Sequence, residues 1–285
     1  MVERKDFATP VFPTWCPGCG NFGIWGALKN ALVELDWKPE EVLIVYGIGC
    51  SGNGADFLKT YGFHGLHGRT LPVATGAKLS NHELKVVAVA GDGDGYGIGV
   101  GHFIHAMRRN LDITLIAHNN QVYGLTTGQT SPTSDKGFAT KSTPAGVIEL
   151  PVNPIALALS SGATFISRGF AGDIKYLTNL LVDALSHKGF SLIDIFQPCV
   201  TFNNLNTYDW FRDRVYKLEA ENHNPQDKPE AFNKSQEWGD KIPIGLFYKE
   251  RRSTYEDELP QIAEKPLVQH DIENIDISSL LDNFI

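Results

Sequence analysis

The strongest constraint on the fold is the spacing of four short, nearly uninterrupted apolar runs: "VLIVYGIG" (42–49), "KVVAVAG" (85–91), "DITLIAHN" (112–119) and "FSLIDIF" (190–196). Each is short, bounded and rich in β-branched residues, as expected for a strand buried on both faces. The segments between them follow a different period. "NFGIWGALKNALVELD" sets Phe22, Trp25, Leu28, Leu32 and Leu35 at helical spacing, and 98–109 is helix-compatible. "IALALSSG", "ATFISR" and the amphipathic stretch 173–187 follow before the last strand. Strand and helix alternating at this interval predict an α/β fold over residues 1–200: a mostly parallel sheet with helices on both faces. Beyond Pro198 the pattern lapses into Asn, Asp, Glu, Lys and Pro with short aromatic runs. Residues 201–285 therefore read as an extended C-terminal tail that packs on this domain or on a partner.

Composition narrows the function. With 25 basic against 33 acidic residues the chain carries a net charge of -8. It lacks the positive excess that neutralises phosphates, so no nucleic-acid partner is expected. No 18-residue apolar stretch occurs and no apolar run follows a basic start, so neither a membrane span nor a leader is expected. The reading is a cytoplasmic protein with reduced thiols, where Cys-x-x-Cys means metal or redox chemistry more often than a disulfide.

Glycine-rich loops come next. "GCGNFG" (18–23) and "GIGCSG" (47–52) both match G-x-G-x-x-G. Only the second follows a strand, and no carboxylate stands about 20 positions further on, in "GLHGRTLPVAT", to hold a ribose. The dinucleotide reading fails there. "GDGDGYGIGVG" (91–101) is more informative, because its glycines let main-chain N–H groups approach an anion where the next helix begins. A carboxylate in such a loop repels bare phosphate but suits a divalent cation lying between the two. The following strand ends in "HNNQVYG", where Asn119 and Asn120 could offer a neutral oxygen to that ion. Gly-Asp-Gly, 25 residues (94–118), then Asn-Asn resembles the signature of thiamine-diphosphate enzymes. The resemblance implies a Mg²⁺ held by Asp92, the Asn120 side chain and the Val122 carbonyl. It also implies a cofactor lined by Gly91, Gly93, Asp94, Gly124 and Leu125.

The four cysteines are Cys16 and Cys19 in "WCPGCG", Cys50 and Cys199. A zinc ribbon would show two Cys-x-x-Cys knuckles; here there is one knuckle and two singles. Cys50 and Cys199 each follow a strand, on the cofactor's side of the sheet. Four thiolates meeting there would suit a 4Fe–4S cubane. The alternatives are lone cysteines buried as small apolar residues, or a zinc scaffold.

Taken in order, "WCPGCGNFG", "GIGCSG", "YGFHGLHGR", "ATGAKL", "GDGDGYGIGVGH", "NNQVYGLTTGQTSPTS" and "QPC" resemble the β subunits of 2-oxoacid:ferredoxin oxidoreductases over about residues 10–205. The "YGFHGLHGR" block is most similar to the 2-oxoglutarate branch, the alternatives being a pyruvate or broad-range 2-oxoacid enzyme or a cluster-free thiamine-dependent decarboxylase. The resemblance implies oxidative decarboxylation of a 2-oxoacid, with the acyl group passed to coenzyme A and electrons to ferredoxin. It implies one 4Fe–4S cluster on Cys16, Cys19, Cys50 and Cys199, and further cofactor contacts from Ile48, Gly49, Cys50 and Ser51. His67 is the implied catalytic residue and a cofactor contact. The resemblance also implies a substrate contact at Leu125, which lies where the pyruvate enzymes tend to carry a polar residue and so fits a larger substrate. Asn53 stands where many relatives have a basic residue, which leaves Arg69 or a partner residue to meet a distal carboxylate. No role is expected for His64, His102, His105 or His118. Thiamine enzymes need two α/β domains, and only one alternating series is visible here. A larger α subunit supplying an activating glutamate, in an (αβ)₂ assembly, is therefore also implied.

Overall fold

The apolar runs form the middle of one eight-stranded sheet. A computed structural model describes residues 1–271, 273 and 275–284. The strands are β1 (Val42–Tyr46), β2 (Tyr61–His64), β3 (Lys85–Gly91), β4 (Thr114–Asn119), β7 (Phe165–Phe170), β8 (Ser191–Phe196), β9 (Val215–Lys217) and β10 (Ile242–Lys249). A two-stranded antiparallel hairpin, β5 (Val122–Tyr123) and β6 (Gln129–Thr130), stands apart from them. The sheet order is β2-β1-β3-β4-β8-β7-β10-β9. Every neighbouring pair is parallel except β10 against β7.

Alternate strand residues feed opposite cores, which is why the runs are apolar throughout rather than every second residue. Val45, Ala88, Leu115, Ile166 and Leu192 face one core, and Ile44, Val87, Ile116 and Ile193 face the other. Over the first face lie α2 (Thr70–Ser80), α3 (Val100–Arg109), α4 (Pro154–Ser161) and α7 (Lys228–Ser235). Over the second lie α1 (Gly20–Glu34) and α5 (Ile174–Ser186). Among the described residues no helix is long and apolar enough to cross a membrane.

The stretch after 200 is more ordered than its composition implies. It holds a short helix α6 (Tyr208–Arg212), α7 and two strands, and β10 closes onto β7 from Gly245↔Arg168 to Lys249↔Phe165. Pro243 and Gly245 (φ 123°), with a register shift between Leu246 and Tyr248, disguise this strand. Two further elements escape the periodicity argument. One is β2, an exposed edge strand; the other is α2, which begins in the glycine-rich "HGRTLP".

After β1 the chain turns one way along the sheet, to β2; after β3 it turns the other way, to β4. The crevice beyond the carboxyl ends of β1 and β3 is thus a topological switch point, where open α/β sheets bind ligands.

Candidate functional site

A cavity of about 90 Å³ occupies that crevice. Its wall comes from the loop after β1 (Ile48, Gly49, Cys50, Ser51), the end of β3 and the loop after it (Gly91, Asp92, Gly93, Asp94), and the end of β4 and the residues after it (His118, Asn120, Val122), with Tyr123, Gly124, Leu125, His67 and Gln197. Apart from Cys16, Cys19, Cys199, Asn53 and Arg69, every site residue expected from the sequence lies in this wall.

Asp92 is buried, and its Oδ2 accepts hydrogen bonds from Ser131 Oγ (2.5 Å) and Thr133 Oγ1 (2.6 Å). Burial pushes its carboxyl up to about 6 against the opposing pull of those two hydroxyls. Neither partner is a cation. The two asparagines separate in role. Asn119 turns away from the cavity, its amide donating to Asp194 (3.1 Å) and its side-chain oxygen 2.9 Å from Thr133 Oγ1, whose one hydrogen is shared between this oxygen and Asp92. Asn120 stays in the wall, its carbonyl accepting from Val122 N (3.1 Å). Gln121 between them adopts φ 60°, which turns the chain into the hairpin.

Asp94 lines the cavity, but its oxygens are spent on the protein. Oδ1 accepts from His67 Nδ1 (2.6 Å), Gly68 N (2.7 Å) and Ile48 N (3.3 Å); Oδ2 accepts from Thr70 Oγ1 (2.9 Å). It binds the loops after β1 and β2 to the loop after β3. Gly47 has no alternative there, since any side chain would run into this carboxylate. Gly93 is likewise fixed by the Tyr123 ring packed against it. Facing a carboxylate oxygen, His67 carries its hydrogen on Nδ1, which leaves Nε2 as its second hydrogen-bonding site. The ring also packs edge-on to Tyr123 at 6.1 Å. The Ser51 hydroxyl is buried in the wall without a hydrogen-bond partner.

The three cysteine-bearing segments are tied together. Cys16 and Cys19 close a tight knuckle (Cys19 N to Cys16 O, 2.9 Å) at the start of α1. The Trp15 indole donates to Cys50 O (2.6 Å), Gly20 N donates to Pro198 O (3.1 Å), and the Gln197 amide donates to Cys19 Sγ (3.2 Å). A side chain on Gly124 would start 3.5 Å from Cys50 Sγ and 3.8 Å from Cys199 Sγ, so glycine keeps the space between these thiols open. Burial pushes the Cys19 thiol up to about 12, with Cys199, Cys50 and Cys16 adding to the effect. Cys50 rises to about 11 through burial, then through Cys199 and Cys16. Cys50 and Cys199 thus both face Gly124, and the Gln197 amide ties Cys19 to the segment that carries Cys199. Among the described residues no group of three or more His, Cys, Asp or Glu could hold a single metal ion. A cubane asks for something else, one thiolate on each of four irons.

Two expected substrate residues stay outside the wall. Arg69 is exposed, with Nη1 3.1 Å from His102 Nε2 on α3, and Asn53 lies in a short turn beyond Ser51. Conversely, His118 had no expected role, yet it lines the cavity. Its Nδ1 lies 2.8 Å from Asn21 Oδ1, and burial lowers its pKa to about 3, so the ring is neutral. Ser131 and Thr133 also escape sequence reasoning, although both stand in the quoted "TTGQTSPTS"; nothing local marks them as partners of Asp92.

Residues 47–195 match the family described as "Thiamine pyrophosphate enzyme, C-terminal TPP binding domain", and residues 199–264 match the C-terminal family of the "Pyruvate ferredoxin oxidoreductase beta subunit". The chain is 50% identical over 264 residues to the 2-oxoacid:ferredoxin oxidoreductase subunit beta of Saccharolobus solfataricus, covering 88% of this chain and 86% of that one. It is 46% identical over 221 residues to the 2-oxoglutarate oxidoreductase subunit KorB of Mycobacterium tuberculosis, covering 76% and 59%. Among solved structures it is similar to a 2-oxoglutarate:ferredoxin oxidoreductase from Magnetococcus marinus with 2-oxoglutarate, coenzyme A and succinyl-CoA bound. There the TM-score is 0.91 at 38% identity, over 99% of this chain and 96% of that one.

Proposed function

Because the chain belongs to the β-subunit family of 2-oxoacid:ferredoxin oxidoreductases, we propose that it holds the cofactors of an enzyme that oxidatively decarboxylates 2-oxoglutarate. In this reading the acyl group passes to coenzyme A and the electrons to ferredoxin. The observation that carries the reading is a shared wall. Cys50, one of the four thiols, lines the same cavity as Asp92, Asn120 and Val122, and Gly124 faces both Cys50 and Cys199.

The donors present fit the groups proposed. One carboxylate, one amide oxygen and one main-chain carbonyl suit Mg²⁺, which fills its remaining positions with phosphate oxygens and water. The unpartnered Ser51 hydroxyl and the glycine-lined loops suit a diphosphate. Four thiols on three segments, the Cys16–Cys19 knuckle bonded to each of the other two, suit one 4Fe–4S cluster. When bound, thiamine diphosphate supplies the carbanion stabilisation that decarboxylation needs, and the cluster supplies one-electron acceptance.

The chain's own residues place and exclude. Ser131 and Thr133 hold the Asp92 carboxylate, and Asn119, anchored on Asp194, backs Thr133. Asp94 fixes the His67 tautomer, so that Nε2 takes or gives a proton at the cavity. Leu125, half-exposed at the wall, is the residue of this chain set to contact the substrate's carbon chain, and Arg69 or a partner residue meets its distal carboxylate. At about 90 Å³ the cavity is well below the several hundred Å³ of a typical cofactor site. The rest of the wall, with the activating glutamate, comes from a larger α subunit, two αβ pairs forming the cytoplasmic enzyme.

The test is co-expression with and without the larger subunit under anaerobic conditions, followed by iron analysis and a panel of 2-oxoacids with coenzyme A and ferredoxin. The reading expects about four irons per chain, and turnover, highest with 2-oxoglutarate, only in the two-subunit preparation. Full turnover by this chain alone, or iron-free active enzyme, refutes it.

A further inference from the structure

Of the four cysteines, only Cys16 is exposed; Cys19 and Cys199 are buried at 8% and Cys50 is intermediate. The surface around Cys16 is apolar. Phe12 is 79% exposed, Val11 48% and Val200 42%. Two segments far apart in sequence supply this collar. Phe12 stands 6.5 Å from the Phe22 ring, while Val200 lies against Gly18, 3.8 Å from where a side chain there would begin. The base beneath is rigid: Trp15 packs edge-on against Phe22 (5.3 Å), Trp25 (6.5 Å) and Phe57 (5.0 Å).

The collar is also uncharged. Residues 7–28 contain no Asp, Glu, Lys or Arg, and neither do residues 195–208, in a chain with 58 such residues (25 + 33) among 285. The first charged residue beyond the second run, Asp209, pairs with Arg212 at 2.7 Å. A net charge of -8 leaves ample charge to place here, and neither segment carries any; the exposed Asp56, whose main-chain oxygen accepts from Thr9 beside Val11, is the charge at its edge.

We propose that this collar is the docking surface for the electron-carrier protein, ferredoxin, and that the carrier is held by apolar contact instead of charge pairing. The inference rests on the cluster reading above. Electron transfer needs close approach, and Cys16 is where the thiol-lined space comes nearest to solvent. Each encounter moves one electron to the carrier, which is the oxidant; no bond forms or breaks. A small apolar contact with no ions to desolvate gives the weak, fast-releasing encounter that redox partners use. It also predicts that salt, which screens charge pairing, has little effect on carrier reduction.

The experiment uses the assembled two-subunit holoenzyme carrying Phe12→Asp or Val200→Asp. Ferredoxin reduction is compared with reduction of methyl viologen, a small dye that needs no docking surface. The expected result is a fall of about tenfold or more in the ferredoxin-to-viologen ratio of kcat/KM. In the unmodified enzyme, ferredoxin kcat/KM is expected to change less than about threefold between roughly 20 and 200 mM salt. An unchanged ratio overturns the proposal, whether or not both activities fall together. So does a steep loss with salt, or a variant that no longer assembles with the larger chain, since the collar would then belong to the interface between the two chains. Absence of iron from the unmodified holoenzyme refutes the cluster reading and is seen before any ratio is taken.

Discussion

The two ends of the sheet are closed by different kinds of residue. At the carboxyl end the loops are glycines, cysteines, amides and hydroxyls. Asp92 is buried there with two hydroxyl partners and no basic side chain. At the amino end the loops before β4 and β8 and after β10 are locked by charge pairs, Lys78–Asp112 (2.8 Å) and Lys188–Asp257 (2.7 Å). Asn110 is the hub of that end. It caps α3 in a left-handed conformation (φ 54°), accepts from Thr164 Oγ1 (2.7 Å) and Phe190 N (2.9 Å), and donates to Ser253 O (3.0 Å). The first end leaves the Ser51 hydroxyl unpartnered beside an uncompensated carboxylate; the second is mostly paired internally, with Glu256 Oε2 and His82 Nδ1 its unpartnered atoms. Substitutions at the first end should therefore cost function, and at the second, stability.

The largest effect is expected from Cys199→Ala in the assembled enzyme. It should bleach the visible absorption and lower ferredoxin reduction by on the order of a thousandfold or more, while far-ultraviolet circular dichroism stays unchanged. Four irons and full activity in that variant would remove Cys199 from the proposed set. Asp92→Ala comes next. Thiamine diphosphate affinity in the presence of Mg²⁺, measured by calorimetry, should fall by about 100-fold with little change in melting temperature. Equal affinity would show that the buried carboxylate serves only the loop.

At the amino end the pattern should invert. Asn110→Ala removes bonds to three segments and puts a Cβ-bearing residue without a compensating side chain into the left-handed region. A stability loss of about 2–4 kcal/mol is expected, read by urea unfolding, with KM for 2-oxoacid unchanged at temperatures where the protein is folded. A variant that keeps its stability but loses substrate affinity would break the contrast.

How far sequence reached into this picture follows from the range of each signal. The central strands and α1, α3 and α5 are legible because periodicity is local and their burial is extreme. Asp92, Asn120 and Val122 are legible as neighbours because the spacing of strand, glycine loop, helix and strand forces their loops to one end. The strand β10 is hidden by Pro243 and Gly245, and β2 by having no buried face at all. Asp94 reads as a cofactor contact from its motif and lines the cavity, but its bonds to Ile48, His67, Gly68 and Thr70, all more than 20 positions away, are not legible in that motif. Pairings set by tertiary approach leave no mark in the spacing of either partner. The same holds for Asn110, whose asparagine is an ordinary helix cap in sequence and a three-way junction in space.

The smallest expected effect sharpens the comparison through pH. His187 sits at the amino end with Nε2 2.8 Å from Thr164 Oγ1. Burial lowers its pKa from 6.5 to about 4, with the Lys249 and Arg251 charges acting in the same direction and Asp112 and Glu250 opposing. The folded protein thus keeps this imidazole neutral while the unfolded chain protonates it near its ordinary value. Above 6.5 both states are neutral and the contribution is fully present; as pH falls from 6.5 towards 4, the unfolded state gains a proton that the folded state refuses, and stability drops. With solvent screening at this partly open end, the loss should be on the order of 1–2 kcal/mol. His187→Gln, which takes up no proton, should flatten the urea-unfolding profile over that interval and leave ferredoxin reduction unaltered. A profile as steep in the variant as in the unmodified protein would place the acid sensitivity elsewhere, with the neutral His118 at the opposite end the next group to replace.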